Sequence, residues 1–439
     1  MIAHARAAPP HIPPTLQASA AAAVRWHAVV VGAGPAGAAA ALRLARRGLR
    51  VLLVDAASMP RPKVCGCCLS TTAVAELRGL GIIAAAEPAA LLPHFLPHHL
   101  LPLDWIPLAR VTLAARGSVA TIAMPGGGVI SRDSLDARLV AEAIAAGAAW
   151  LPETRVVSID EAEGTVVVAC SGPGREGSGP GREGSGSGRE ESLIRAELAV
   201  IAGGLAPAIE VAAHDRRCVA ADSRVGLGAI LPETAPGPEA GRLLMAVSRQ
   251  GYCGIVRLED GRMDVAAAVD AKAVGAAGGA APLISAILAD ACGRAEADRW
   301  APALAGATFR GTPRLTHASP PVATASGRVV RIGDAAAYVE PFTGEGMGWA
   351  LTTARLLADA IDSPAAAGPI DAKKAAIRYA ASHSLHCARH HARCLRITRV
   401  VRRPTFVACA AGLARFAPAA AARVVPLVVG ASPDLEHTS

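Results

Sequence analysis

The sequence is poor in aromatic side chains, in lysine and in long apolar runs. Only 3% of its 439 residues are Phe, Trp or Tyr, although 52% are hydrophobic. Alanine and small aliphatic residues must therefore fill much of the core. So few aromatics leave little for base stacking, and no zinc-finger, RNA-binding or helix-turn-helix pattern occurs. Only four of the 44 basic residues are lysines (63, 272, 373 and 374), so the formal charge of +8 rests on scattered arginine. A basic balance can favour nucleic acid, anionic lipid or an acidic ligand. Here the bias is partly compositional, and no nucleic-acid partner is expected. No window of about 18 uncharged apolar residues occurs, so no transmembrane helix is predicted. The Ala- and Pro-rich residues 1–26 lack the compact apolar segment of a secretory signal and read as a disordered extension. Ten widely scattered cysteines, three of them at 65, 67 and 68, suit reduced thiols in a cytoplasmic protein.

What is present begins with "HAVVVGAGPAGAAAALRLARRGLRVLLVDA" (27–56). A β-rich run enters a Gly-rich turn, a helical stretch ends at Arg46-Arg47-Gly48, and a second strand ends on Asp55. In this βαβ unit Gly32-x-Gly34-x-x-Gly37 sits where a dinucleotide site needs it. Gly32 permits the tight turn, Gly34 lets the backbone approach a pyrophosphate, and Gly37 lets the helix pack closely. The helix start faces the phosphates with unpaired N–H groups. Asp55 can accept from a ribose hydroxyl.

The spacing further predicts a helix over 71–80 capped by Ser70 or Thr71, two strands within 109–124 around Arg116-Gly117, and a helix over 131–147. Strands follow near 154–159 and 164–169. Residues 171–190 carry a near-exact eight-residue Gly-, Ser- and Arg-rich repeat that cannot bury a core, and read as a flexible insertion. A strand at 198–204 resumes the α/β pattern. Strand-like runs at 224–231, 242–247, 251–258 and 262–269 lack intervening helices and suggest an antiparallel sheet, completed by helical stretches near 282–293. Strand 328–332, a turn over 333–344 and a helix over 345–361 return to α/β character. The remainder is helical.

In "GRVVRIGDAAAYVEPFTGEGMGWALTTARLLADAI" (327–361) a strand ends in Gly333-Asp334. Asp334 could hydrogen-bond a sugar-like chain. The turn with Pro341 leads to Gly344, Gly346 and Gly348 at a helix start, whose free amides could face an electron-rich ring edge. A plain strand-to-helix turn is the alternative.

Together these pieces resemble the glutathione-reductase-like FAD proteins, and more closely their geranylgeranyl reductase branch, related to aromatic hydroxylases and flavin-dependent halogenases. The resemblance covers most of residues 28–360. It implies an α/β fold: a single Rossmann-like FAD-binding domain (27–92, 129–223 and 308–362), an antiparallel β-sheet substrate domain (93–128 and 224–307) and a helical C-terminal region (363–439). It implies that Gly32, Gly34, Pro35, Ala36, Gly37 and Asp55 bind the ADP half of FAD and that Arg132 lies by the cofactor. Gly333-Asp334 would hold the ribityl chain. Pro341, Gly344, Gly346 and Met347 would lie against the isoalloxazine. "KVCGCCLS" matches the branch's Lys-x-Cys-Gly segment, which adds Lys63, Cys65 and Gly66. "QGYCGIVRLEDGRMDVAAAVD" is similar to its cavity-lining Gly-Tyr strand, which points to Tyr252.

The chain departs from these relatives at several points. Ala202-Gly203-Gly204 stands where aromatic hydroxylases have an Asp-Gly pair tied to FAD and nicotinamide contacts. Ala337 stands where many have a His. The halogenase pattern Trp-x-Trp-x-Ile-Pro is not met by "PLDWIP". No second GxGxxG appears, so electrons would come from transiently docked NAD(P)H or an external reductase.

The expected activity is reduction of a C=C bond in an apolar isoprenoid or polyketide-like substrate, by hydride from N5 of reduced flavin. Tyr252 is a candidate proton donor or orienter, or else a core tyrosine, and Cys65 contacts flavin or substrate. The alternatives are a monooxygenase hydroxylating an aromatic or polyketide molecule through a flavin C4a-hydroperoxide, and a non-catalytic or electron-relay flavoprotein.

Three features stand apart from that activity. "RPKVCGCCLS" reads as the wall of the flavin pocket, with Lys63 lowering the Cys65 pKa and a C-x-x-C redox pair of Cys65 and Cys68 as the alternative. His386, His390 and Cys394 fall along one side of a helix, as a metal stripe or as incidental residues of a basic helix; the assignment is to no metal. The Arg-rich apolar stretch 396–429 either packs on the core or touches an anionic membrane surface.

Overall fold

The computed structural model describes residues 9–83, 103–162, 164–172, 191–205, 209, 211, 217–318, 321–340, 342, 344–362 and 368–417. Two large sheets organise them. The first runs β6 (Ala149–Leu151), β2 (Val51–Val54), β1 (Arg25–Val31), β9 (Glu191–Ile201), β8 (Thr165–Ser171) and β7 (Arg155–Ala162), with β17 (Val329–Arg331) also on β9. The pairs β6–β2, β2–β1, β1–β9 and β9–β17 are parallel. The strand β1 is buried from Trp26 onward, which suits a central parallel strand covered on both faces.

One face of this sheet carries α2 (Pro35–Arg46), α4 (Arg132–Ala145), α3 (Thr71–Gly79) and α8 (Gly346–Ala360). The scarcity of aromatics is resolved here. Half of α2 is buried alanine, which brings α8 and α4 close; Leu42 and Leu44 supply the bulk. Each fully buried leucine contributes about 2 kcal/mol. Gly348 serves the same packing: a Cβ there would stand 2.6 Å from Ser70 Oγ. Ser70, whose hydroxyl accepts from Ala73 N, is the cap of α3.

The second sheet runs β15 (Arg310–Arg314), β11 (Val225–Leu231), β14 (Met263–Val269), β13 (Gly251–Arg257), β12 (Arg242–Ser248), β4 (Ile106–Ala115), β5 (Ser118–Val129) and β3 (Cys68–Leu69). One face packs on α6 (Ala280–Cys292) and α7 (Arg294–Ala305), around Ile287 and the fully buried Trp300, with α5 (Ala271–Ala276) beside them. A small sheet of β10 (Cys218–Val219), β16 (His317–Ala318) and β18 (Ala337–Tyr338) lies between the larger units in chain order. The helix α9 (Ala372–Val401) packs on α8, and α10 (Pro404–Phe416) lies on β4 and β5.

Three expectations are corrected. The substrate sheet is mixed: β12 and β4 pair in parallel, because β4 arrives from a segment 130 residues earlier rather than by a hairpin. Residues 310–314, assigned above to the FAD domain, form the edge strand of the second sheet. The extension is ordered from residue 9. Ile12 N donates to Met59 O, Thr15 N donates to Trp150 O, and α1 (Ala18–Ala23) packs on β9. The reason is the bare edge strand β6, whose Trp150 N donates to Thr15 Oγ1 at 2.7 Å. Residues 1–8 and the repeat at 173–190 lie outside the described residues.

Candidate functional site

The turn after β1 is built as a dinucleotide cradle. Gly32 has φ +104°, and a Cβ there would stand 2.6 Å from the Ala202 carbonyl oxygen. A Cβ on Gly37 would stand 1.8 Å from the Gly32 carbonyl oxygen. The α2 cap is Gly34 with Pro35 following, and no side chain caps it, so the Ala36 and Gly37 amides have no intrahelical partner. Asp55 organises this turn. Its Oδ2 accepts from Ala33 N at 2.7 Å and from Arg61 at 2.6 Å, and Oδ1 accepts from Ala57 N.

Arg132, first residue of α4, holds its guanidinium over the turn. It makes a two-pronged pair with the buried Asp136 at 2.7 and 2.9 Å, and Nη2 stands 3.7 Å from where a Gly34 Cβ would be. Across from it, Gly333 (φ +58°) approaches Ala36 so closely that a Cβ would stand 2.8 Å away. The adjoining Asp334 is partly buried, and its buried Oδ1 has no hydrogen-bond partner among the described residues. Burial pushes this carboxyl up to about 7, against the opposing pull of Arg132 and Arg217. The start of α8 at Gly346 also has no side-chain cap, and Gly344 before it has φ +70°. Two uncapped helix starts, an arginine over the first, and an orphaned buried carboxyl opposite suit a pyrophosphate, a polyhydroxyl chain and a ring edge in turn. The residues present fit FAD.

The raised Asp334 pKa has a measurable sign. Its stabilising, protonated form is full below the unfolded value of about 4 and is lost as pH rises through about 7. Asp334→Asn is therefore expected to reduce the loss of flavin-free stability across that window. Urea denaturation of both proteins at several pH values checks it, and parallel profiles would count against the assignment.

The cysteine loop forms one wall. All ten cysteines are free thiols, Cys65 and Cys68 among them. The Cys65 thiol is drawn down to about 6 by a hydrogen bond from Cys67, opposed by burial and assisted by Arg132. Lys63 is not the cause; burial lowers the lysine itself. A Cβ on Gly66 would stand 3.8 Å from the Ala266 Cβ, in ordinary van der Waals contact. Met347 offers the site its backbone only, since its side chain lies in the core. Pro341 lies outside the described residues.

Tyr252 sits on β13 within the apolar cluster that also holds Cys67, Leu243 and Val247. Phe342 meets its ring edge-on at 5.0 Å, and its buried hydroxyl has no partner among the described residues. Burial raises its pKa, so it keeps its proton. Cys67 of the cysteine loop converges on the site, as do three residues that the motifs did not show, Asp264, Arg217 and Tyr338, each linked to Cys65 or Asp334 by charge or hydrogen bond. Only Asp264 left a trace, as an acid in the apolar strand "MDVAAAV". Of the His/Cys stripe, His390 and Cys394 meet at 3.6 Å while His390 stacks on Trp349 at 5.2 Å and His386 bonds its own helix, so no trio of ligands forms among the described residues.

Fold and site together define an FAD-dependent oxidoreductase. Residues 26–221 match the pyridine nucleotide-disulphide oxidoreductase family. A menaquinone reductase of Mycolicibacterium smegmatis is 37% identical over 141 residues, a match spanning 31% of each chain. A menaquinone reductase of Mycobacterium tuberculosis is 29% identical over 368 residues, 76% of each chain. Among solved structures, the flavin-dependent brominase Bmp2 matches with a TM-score of 0.66 at 16% identity, over 95% of this chain and 96% of that one. A flavoprotein/dehydrogenase of Cytophaga hutchinsonii matches with a TM-score of 0.65 at 15% identity, over 93% of both chains. At these identities the structures speak for the fold.

Proposed function

We propose that this enzyme reduces a carbon–carbon double bond of an apolar isoprenoid-type substrate. A menaquinone-like lipid is the first to assay, given the names of the two mycobacterial relatives. When bound and reduced, FAD supplies a hydride at N5. The chain supplies the rest. The Ala36 and Gly37 amides with Arg132 hold the pyrophosphate, and Asp334 accepts from the ribityl hydroxyls. The wall beside the flavin is the observation that carries the reading. Cys65 and Cys68 pack against the apolar cluster of Leu108, Met245 and Tyr252, a lining suited to a hydrocarbon chain. Tyr252, held protonated, orients or protonates the substrate. NAD(P)H or a partner reductase provides the electrons.

The tail fits a membrane-held substrate. The inner side of α10 is buried through Val407, Ala411 and Ala414, while Phe406, Leu413 and Phe416 are 55%, 70% and 86% exposed. The exposed arginines 396, 399, 403 and 415 lie beside them and would meet anionic headgroups. No helix among the described residues is long and apolar enough to cross a membrane.

The test is turnover of a polyprenyl quinone in anionic vesicles, with FAD reduced by NADPH or dithionite. A product heavier by two hydrogens without oxygen is expected, with Phe416→Ser lowering vesicle binding. A product heavier by one oxygen atom, formed only in air, would replace this reading with a monooxygenase. Electron transfer to a carrier without turnover would replace it with a relay.

A further inference from the structure

We propose that Arg393 of α9 is a positioning residue for the flavin: it holds the Glu345 side chain away from the free amides at the start of α8 and so keeps those amides for the ring. This rests on the reading of the α8 start as the seat of the ring edge. Glu345 stands at the cap position of α8, next to amides that have no intrahelical partner. An acidic side chain there is ordinarily drawn onto those amides, by hydrogen bonding and by the positive end of the helix. Glu345 makes no such bond, and no side chain caps the helix. Its Oε1 instead accepts from Arg393 Nη2 at 3.0 Å. The Glu345 side chain is 4% exposed and that of Arg393 29%, so the acid is shut away from water and the arginine reaches in to it.

The helix that supplies Arg393 is tied to the same turn at a second point. Nine residues on, roughly 14 Å along α9, Arg402 reaches the buried Glu340 at 3.1 Å. Thr398 Oγ1 also donates to the Glu340 carbonyl oxygen, at 3.5 Å. Glu340 and Glu345 bracket the turn into α8, and the pairs form in reverse order: the earlier acid meets the later arginine. His390, one turn before Arg393, stacks on Trp349 of α8 at 5.2 Å. The guanidinium of Arg393 is thus placed by the packing of α9 as well as by its pair. Burial pushes the Glu345 carboxyl up; Arg393 opposes this, with a smaller contribution from Ser70.

A carboxylate free to turn onto the α8 amides would compete with the ring for them and set a negative charge beside it. Reduction adds negative charge at the ring edge that such amides face. The free carboxylate would therefore weaken binding of the reduced form more than of the oxidised form. Paired with Arg393, the same acid is turned away and the pair carries no net charge. Arg393 thus acts on the reduction equilibrium through Glu345.

The test is a redox titration of the bound flavin against a reference dye, alongside FAD affinity by fluorescence and thermal unfolding. Arg393→Gln is expected to lower the affinity for reduced over oxidised flavin about tenfold, which is about 30 mV for a two-electron couple. Arg393→Lys, which keeps the cation, is expected to retain most of the wild-type value. Adding Glu345→Ala to Arg393→Gln is expected to abolish the shift, because the competing carboxylate is gone. A pair that only stabilises the fold would lower the unfolding temperature and leave the potential in place. An unshifted potential in Arg393→Gln, or a double variant as low as the single one, would overturn the proposal. If Arg393→Gln retains no flavin, the double variant decides: recovery supports the assignment and continued loss refutes it. Glu345→Ala alone checks the underlying reading, since it leaves Arg393 unopposed and is expected to raise the potential. A rise there with no shift in Arg393→Gln keeps the seat of the ring and removes the role of Arg393. No shift in any variant removes both.

Discussion

Gly37→Val is expected to give a protein that carries no flavin. A Cβ at residue 37 would stand 1.8 Å from the Gly32 carbonyl oxygen and 3.0 Å from the Ala202 side chain. Neither neighbour can move. Gly32 N donates to Val54 O at 2.8 Å, and Ala202 N donates to Val31 O at 2.8 Å, so each is tied to the central strands. The helix must therefore shift outward, and with it the Ala36 and Gly37 amides that face the pyrophosphate. A loss of about 3 kcal/mol or more, at least roughly 100-fold in FAD affinity, is expected. The ratio of absorbance at the flavin band to that of the protein, after purification with added FAD, measures it. A yellow variant with ordinary flavin content would refute the account of the turn.

Glu340→Gln is expected to lower stability by about 3–5 kcal/mol. Glu340 is fully buried between two arginines: Arg224 reaches one oxygen at 3.1 Å and Arg402 reaches the other at 3.1 Å. Arg224 is itself only 3% exposed, so a neutral partner leaves its charge with the half-exposed Asp270, 3.1 Å from Nε, as its remaining counter-ion. Arg402→Ala is expected to cost less, because Arg402 is 23% exposed and also pairs with the exposed Asp222. The triad joins the end of α9 to β11 and to the segment following β18. Denaturant unfolding of the three proteins orders them, and an effect below about 1 kcal/mol for Glu340→Gln would show that water reaches the site.

The parts of this protein that were legible beforehand are those where local chemistry dictates form. The glycine turn, its flanking strands and the Gly333-Asp334 turn each need particular residues at particular spacings, and the structure brings them around one site. The Leu135 and Leu139 face of α4 is equally local, and both are buried. What stayed hidden depends on distant pairing. Nothing within Arg242–Ser248 shows that it pairs in parallel with Ile106–Ala115, because both segments are apolar enough to suit either direction. Residues 9–24 have the composition of a disordered tail and are ordered only because β6 offers them an unpaired edge. Lys63 was the obvious cation by proximity in sequence, but Arg132, far along the chain, is the one that reaches the thiol. Asp264 joins the site only because the cysteine loop lies against its strand.

The interleaving of the two large sheets along the chain has a consequence for the order of events during synthesis. The glycine turn leaves the ribosome early, yet the carboxyl of Asp334 and the start of α8 come more than three-quarters of the way along the chain. Until α8 emerges, α2 has α4 against it but not α8, and β9 lacks its neighbour β17. The cofactor pocket is thus closed by the last third of the polypeptide. FAD is a ligand of the finished chain, and the growing chain must hold the α8-facing flank of an apolar helix uncovered until α8 is made.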